Sequence, residues 1–65
     1  MNSAWHKEGS GWWANDYGSV QLEHDGWWWY SRHGESTGPF GSRKAAIASA
    51  EDDIAELRQS LALAH

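Results

Sequence analysis

The most constraining stretch of this chain is Asp25-Gly26-Trp27-Trp28-Trp29-Tyr30, a turn-forming dipeptide followed at once by four large aromatic residues. Side chains of a strand alternate between its two faces. On a strand beginning at Trp27, Trp27 and Trp29 therefore point one way, and Trp28 and Tyr30 the other. A short chain can cover one face of a sheet with a helix but rarely both. The sequence thus predicts aromatic surface on a face that has no layer to bury it, and any function is expected to begin there.

With 65 residues the chain is expected to be a single domain. At such a length one core supplies only about 3–5 kcal/mol of net stability. There is no cysteine, so no disulfide can add to it. Six tryptophans compensate, each able to bury on the order of 150–250 Å². The absence of cysteine fits a reducing cytoplasm, the expected compartment. No basic segment precedes an apolar run at the start of the sequence, so no signal peptide is expected, and no run is long and apolar enough to span a membrane. The formal net charge is −4, and the basic residues Lys7, Arg32, Arg43, Lys44 and Arg58 are scattered. Binding to a phosphate backbone needs clustered Lys and Arg, so DNA binding is not expected.

Met1 to Ser3 are expected to fray, residues 4–41 to form the sheet and residues 42–64 the helix. Trp12-Trp13-Ala14 belongs to the first secure strand, and the sequence leaves open whether Trp5 to Lys7 pairs with it. Asn15-Asp16-Tyr17-Gly18 reads as a turn, because Asn and Asp bond their own backbone and Gly accepts positive φ. Ser19 to His24 alternates clearly, with Val20 and Leu22 on one side and Gln21 and Glu23 on the other. Asp25-Gly26 predicts a two-residue type I′ hairpin turn with positive φ at both positions. Trp27 to Arg32 is the next strand. A polar loop follows, with room for a short fourth strand around residues 36–40. Pro39 cannot donate to a ladder, which marks an edge or an exit.

From Arg43 the period becomes helical, with Ser42 as the expected N-cap. Ile47, Ala50, Ile54, Leu57, Leu61 and Ala64 form one apolar stripe. At about 1.5 Å per residue this helix reaches about 32 Å, against ~17–20 Å for the strands. It should overhang the sheet near Leu57, Leu61 and Leu63. A frayed end or a dimer through paired helices would account for the overhang. Ile54, Leu57 and Leu61 are then the candidate self-association residues, with Asp53 and Arg58 flanking them. Arg43 and Lys44 sit where the helix dipole disfavours cations. Glu51, Asp52, Asp53 and Glu56 read as a solvated acidic face.

Nothing in the sequence suggests a reaction. It holds no nucleophile elbow, no phosphate-cradling glycine loop and no paired-carboxylate signature. His6, His24, His33 and His65 lack ligand spacing, and no cysteine completes a zinc site. The expectation is a protein that is not an enzyme and uses no metal or cofactor. The aromatic residues remain. One set, drawn from Trp12 or Trp13, Trp27 or Trp29, and Phe40 with Val20 and Leu22, should form the core under the helix. The other is Trp28 and Tyr30 with one of Trp12 and Trp13. Trp13, Trp28, Tyr30 and Phe40 are the candidate binding residues. Such a surface can bury itself against a second copy, cradle a proline-rich peptide, bind a sugar ring or stack on bases. Self-association needs no further machinery and is the first expectation, with a proline-rich peptide the alternative and single-stranded nucleic acid a weaker third.

The stretch Trp28-Trp29-Tyr30-Ser31-Arg32-His33-Gly34-Glu35-Ser36-Thr37-Gly38-Pro39-Phe40 resembles the opening of GYF-type domains. These begin with an aromatic Trp-x-Tyr strand, a turn glycine and Gly-Pro-Phe before a helix. The resemblance implies binding of proline-rich peptides in a groove lined by Trp28, Tyr30, Pro39 and Phe40. It covers about a fifth of the chain, and the Gly-Tyr-Phe tripeptide that names the family is absent. The order of elements is also similar to the arm-binding domains of tyrosine integrases and to short uncharacterised β-β-β-α proteins of bacteria and phages. Arm-binding domains insert a basic sheet into DNA, whereas this sheet offers Asp16, Glu23 and Asp25. The expected fold is α+β: a three-stranded, at most four-stranded, antiparallel meander followed by one long helix packed on one face. The expected role is that of a small interaction protein, a homodimer.

Overall fold

Two turns of the same construction set the register of the sheet. In the computed structural model, which describes the backbone of residues 3–63 and the side chains of residues 3–60, Asn15 pairs with Gly18 and Glu23 pairs with Gly26. Each pair leaves two residues in the loop and a glycine immediately after it. Asn15 Oδ1 accepts the backbone N–H of Tyr17 at 2.8 Å, closing the first loop as an Asx turn. The second hairpin is not the expected type I′ turn. Its central residues are His24 and Asp25, and among the described residues none other than glycine has positive φ. The glycine follows the turn at Gly26, where φ is 140°. Glycine at the last position of a turn is a type I habit, and it serves here without placing Asp25 in the left-handed region.

The sheet has five strands rather than three or four. These are β1 (His6–Gly9), β2 (Trp12–Asn15), β3 (Gly18–Glu23), β4 (Gly26–Ser31) and β5 (Ser36–Phe40), and the helix α1 is Arg43–Leu63. All neighbours are antiparallel, in the order β1-β2-β3-β4-β5. The two strands beyond the expected three are the edges. β1 and β5 are short and each carries a register shift, which makes them faint to a test of alternation. Pro39 lies within β5, where an edge strand tolerates the missing donor.

The shift between β4 and β5 has a geometric consequence. Trp29 pairs with Thr37 and Trp27 with Phe40, so two steps along β4 match three along β5. The extra residue restores Phe40 to the side of Trp27. Simple alternation from Thr37 would have sent it to the opposite face.

The face shared by Trp13, Val20 and Trp29 is the one the helix covers. Trp29 is 2% exposed at its centre, packed with Tyr17, Val20, Ala46, Ala50 and Ile54. Trp5, Trp27, Phe40, Ile47 and Leu57 close around them. Trp5 meets Trp29 edge-on, 5.9 Å between ring centroids and 77° between planes. Small residues on the helix, Ala46 and Ala50, let its backbone approach a sheet carrying so much indole. Ser42 caps α1: its Oγ accepts the Ala45 N–H at 3.1 Å, and its carbonyl accepts the Ala46 N–H at 3.2 Å. At about 1.5 Å per residue the helix is about 32 Å long, whereas six-residue strands reach about 20 Å. The molecule is accordingly drawn out, 41 Å along its long axis and 19 Å across.

Three expectations need restating. Ser3 is tied down, because its carbonyl accepts a hydrogen bond from Asn15 Nδ2 at 3.1 Å. Met1, Asn2, Ala64 and the side chains of Leu61 and Leu63 lie outside the described residues. Ile54, assigned to self-association, is buried in the core of the monomer. It lies on the expected apolar stripe, and the core under the sheet already occupies it. No helix is long and apolar enough to cross a membrane among the described residues.

Candidate interaction surface on the open sheet face

The pairing places Trp12, Gln21 and Trp28 in one cross-strand row, and Ala14, Ser19, Tyr30 and Ser36 in the next. Side chains directly opposite one another in an antiparallel pair share a face. These rows therefore lie on the side away from α1. Trp12 is 46% exposed there, while Trp28 and Tyr30 are half-buried against the sheet and each other. Their rings stack 6.3 Å apart at centroids with 21° between planes.

Both rings are fixed at their polar ends. Trp28 Nε1 donates to Asp25 Oδ1 at 2.8 Å, and the Tyr30 hydroxyl donates to Glu23 Oε1 at 2.7 Å. Asp25 sits in the β3–β4 turn and Glu23 at the end of β3, so one hairpin supplies both rings and both acceptors. Beside them Gln21 Nε2 donates to Ser19 Oγ at 2.9 Å. The Tyr30 phenol is pushed above its usual 10.0, first by the hydrogen bond to Glu23, then by desolvation, then by the charges of Glu23 and Asp25. A donated bond to a carboxylate favours the protonated phenol, and adjacent negative charge disfavours the phenolate.

Trp28 also needs a particular floor. A Cβ on Gly38 would stand 2.7 Å from the Trp28 ring and 2.9 Å from the Trp27 carbonyl. The indole thus lies directly over the bare backbone of β5. A side chain at Gly38 would lift it away.

Of the sequence-derived binding residues, the open face brings together Trp28 and Tyr30. Trp13 lies on the helix side, where the Arg43 guanidinium stands 4.6 Å over its ring. That stacking also accounts for a cation in the first turn of α1. Phe40 packs against the core beside Trp27. The groove implied by the GYF-type resemblance is therefore divided between two faces. The third aromatic member of the open face is Trp12, one of the two alternatives the sequence offers. Its polar members are Glu23 and Asp25, which the sequence marks only as acidic residues of the sheet. The turn held a signal for Trp12: pairing Asn15 with Gly18 and counting back sets Trp13 opposite Val20 and Trp12 opposite Gln21.

A second concavity, of about 340 Å³, lies where α1 passes the β4–β5 turn. Tyr17, Trp29, Ile54 and Leu57 floor it, and His33, Glu35, Asp53 and Glu56 stand around it. Ser31 shapes this turn: its Oγ accepts the backbone N–H groups of His33 at 3.2 Å and Glu35 at 3.4 Å. Among the described residues no group of three or more His, Cys, Asp or Glu side chains is placed to hold a metal ion.

Compared with known proteins, the chain matches no family model, no curated sequence and no solved structure.

Proposed function

We propose that this protein is a non-enzymatic interaction module that binds a segment of another protein across the open face formed by Trp12, Trp28 and Tyr30. The observation that carries the reading is the way the rings are held. The Trp28 N–H and the Tyr30 O–H are both satisfied within one hairpin, so the rings, stacked on each other and half-buried, keep a fixed orientation with part of their surface open to a partner. Rigid aromatic side chains lose little conformational entropy when they bind and contribute large contact areas. The surface suits an extended peptide, whose side chains alternate across a flat sheet.

Self-association is the second reading, favoured by the 46% exposure of Trp12. Its helix-mediated form is weakened because Ile54 is buried within the monomer. Its face-mediated form brings the Glu23 and Asp25 carboxylates of both copies into one interface.

The test is an amide and indole NMR titration of the labelled chain with extended peptides, preceded by sedimentation equilibrium over a wide concentration range. The expected result is a monomer in which the Trp12 and Trp28 indole signals and the Tyr30 amide shift with peptide, while the Trp29 indole stays in place. Shifts confined to Trp29 and α1 would move the site to the other face and sink the proposal. Mass that doubles with concentration, with loss of indole accessibility, would establish the second reading.

A further inference from the structure

Resting on that reading, we infer that the partner segment is basic, presenting Arg or Lys side chains to the Trp28 and Tyr30 rings and to the carboxylates of Glu23 and Asp25. Charge complementarity points to such a partner. Both carboxylates border the aromatic surface, and each accepts a hydrogen bond from a neutral donor. Neither is in an ion pair among the described residues. A carboxylate has about four lone-pair sites and uses one here, so each can take a cationic donor without releasing its ring. None of the strand positions on this face carries Lys or Arg; its imidazole is His6, opposite Ala14 on β1, while Lys7 pairs with Trp13 and so belongs to the other face.

The same two carboxylates raise the Tyr30 pKa, first through the hydrogen bond to Glu23 and, after desolvation, through their charges, so they set negative potential beside the rings. Negative potential over an aromatic face is what a guanidinium or ammonium group seeks. The protein itself provides an instance on its other side, where Arg43 stands over Trp13. A planar guanidinium can stack on a ring and direct its N–H fork to a neighbouring carboxylate, which makes arginine the better fit. The same charges work against the other occupants. A second copy would repeat the two carboxylates, and a nucleic acid would bring phosphates towards them. The overall charge of −4 acts in the same direction at longer range.

The test uses the full chain and three synthetic peptides of equal length: one rich in arginine, one neutral and proline-rich, and one rich in glutamate. The variants are Glu23→Gln and Asp25→Asn, singly and together. Each amide keeps an oxygen able to accept from Tyr30 or Trp28, so the rings stay in place while the charge is lost. Near-UV circular dichroism verifies this. The expected result is that the arginine peptide binds roughly ten-fold tighter than the neutral one. The double variant should reduce that preference to within about two-fold, and raising salt from about 0.05 to about 0.5 M should weaken binding of the arginine peptide.

Equal binding of the neutral and basic peptides, unchanged by the amide variants or by salt, would overturn the basic-partner inference and leave the interaction surface standing. No response of Trp12, Trp28 and Tyr30 to any peptide would overturn both. If the double variant fails to fold, peptide charge and salt dependence on the unaltered chain decide the question alone.

Discussion

The indole of Trp29 donates a hydrogen bond to the carboxylate of Asp53 at 2.9 Å, joining the centre of the sheet to the middle of α1. Asp53 belongs to a run of acidic residues that otherwise reads as a solvated face. This one side chain satisfies the N–H of the most buried tryptophan. Asp53→Ala should cost about 1–2 kcal/mol in urea unfolding, because a buried donor is left unpaired. Glu51→Ala and Asp52→Ala, on exposed positions, should stay within about 0.5 kcal/mol of the parent. Equal effects at all three positions would show that the bond contributes nothing specific.

Tyr30 gives the open face a pH signature. Its folded pKa lies above the ordinary 10.0, led by the hydrogen bond to Glu23. Its contribution to stability is therefore complete below pH 10 and is lost as pH rises through the raised folded value. Absorbance titration should show one tyrosine ionising later than a free phenol. Glu23→Gln should move that ionisation back towards 10.0, and Tyr30→Phe should remove it. An ionisation unchanged by Glu23→Gln would contradict the assigned cause.

Gly18 tests the turn and the core together. Its φ is 155°, and a Cβ there would stand 2.8 Å from the Trp29 ring and against the Tyr30 carbonyl oxygen. Neither obstacle is a flexible chain end. Gly18→Ala is expected to lose about 2 kcal/mol or more in thermal unfolding. Gly34→Ala has open space around its added Cβ and only its φ of 91° against it, so it should cost less. The reverse order would mean that the packing around Trp29 can yield.

Ile54 separates a core role from an interface role. As a residue 4% exposed within the monomer, it should cost about 2–4 kcal/mol on change to alanine. The sedimentation mass of Ile54→Ala should match that of the parent at every concentration where both are folded. A fall in mass without a loss of stability would return Ile54 to an intermolecular contact.

Local pattern determined a good part of this protein. The alternation in Trp27-Trp28-Trp29-Tyr30 separated the ring that enters the core from the pair that does not. Val20 and Leu22 were placed on the side of Trp27 and Trp29, where the register has them. The Ser42 cap and the stripe through Ala50, Ile54 and Leu57 marked the helix and its inward face. These features follow from periods of 2 and 3.6 and from one side chain meeting its neighbouring backbone, all of which a short window of sequence contains.

Only the tertiary structure decided which aromatic residues share a surface. The pairing of Asn15 with Gly18 gives Trp12 rather than Trp13 to the open face, and one extra residue in β5 settles Phe40, which the sequence puts in both the core set and the binding set, on the core side. Tyr17, apparent as a turn residue, is buried because its loop folds beneath α1. Asp53 looks like its acidic neighbours until Trp29 lies opposite it. Each of these depends on register or on contact between residues distant in the chain. A side-chain period of two makes the choice of face reverse with a single bulge, so the composition of a strand cannot supply it.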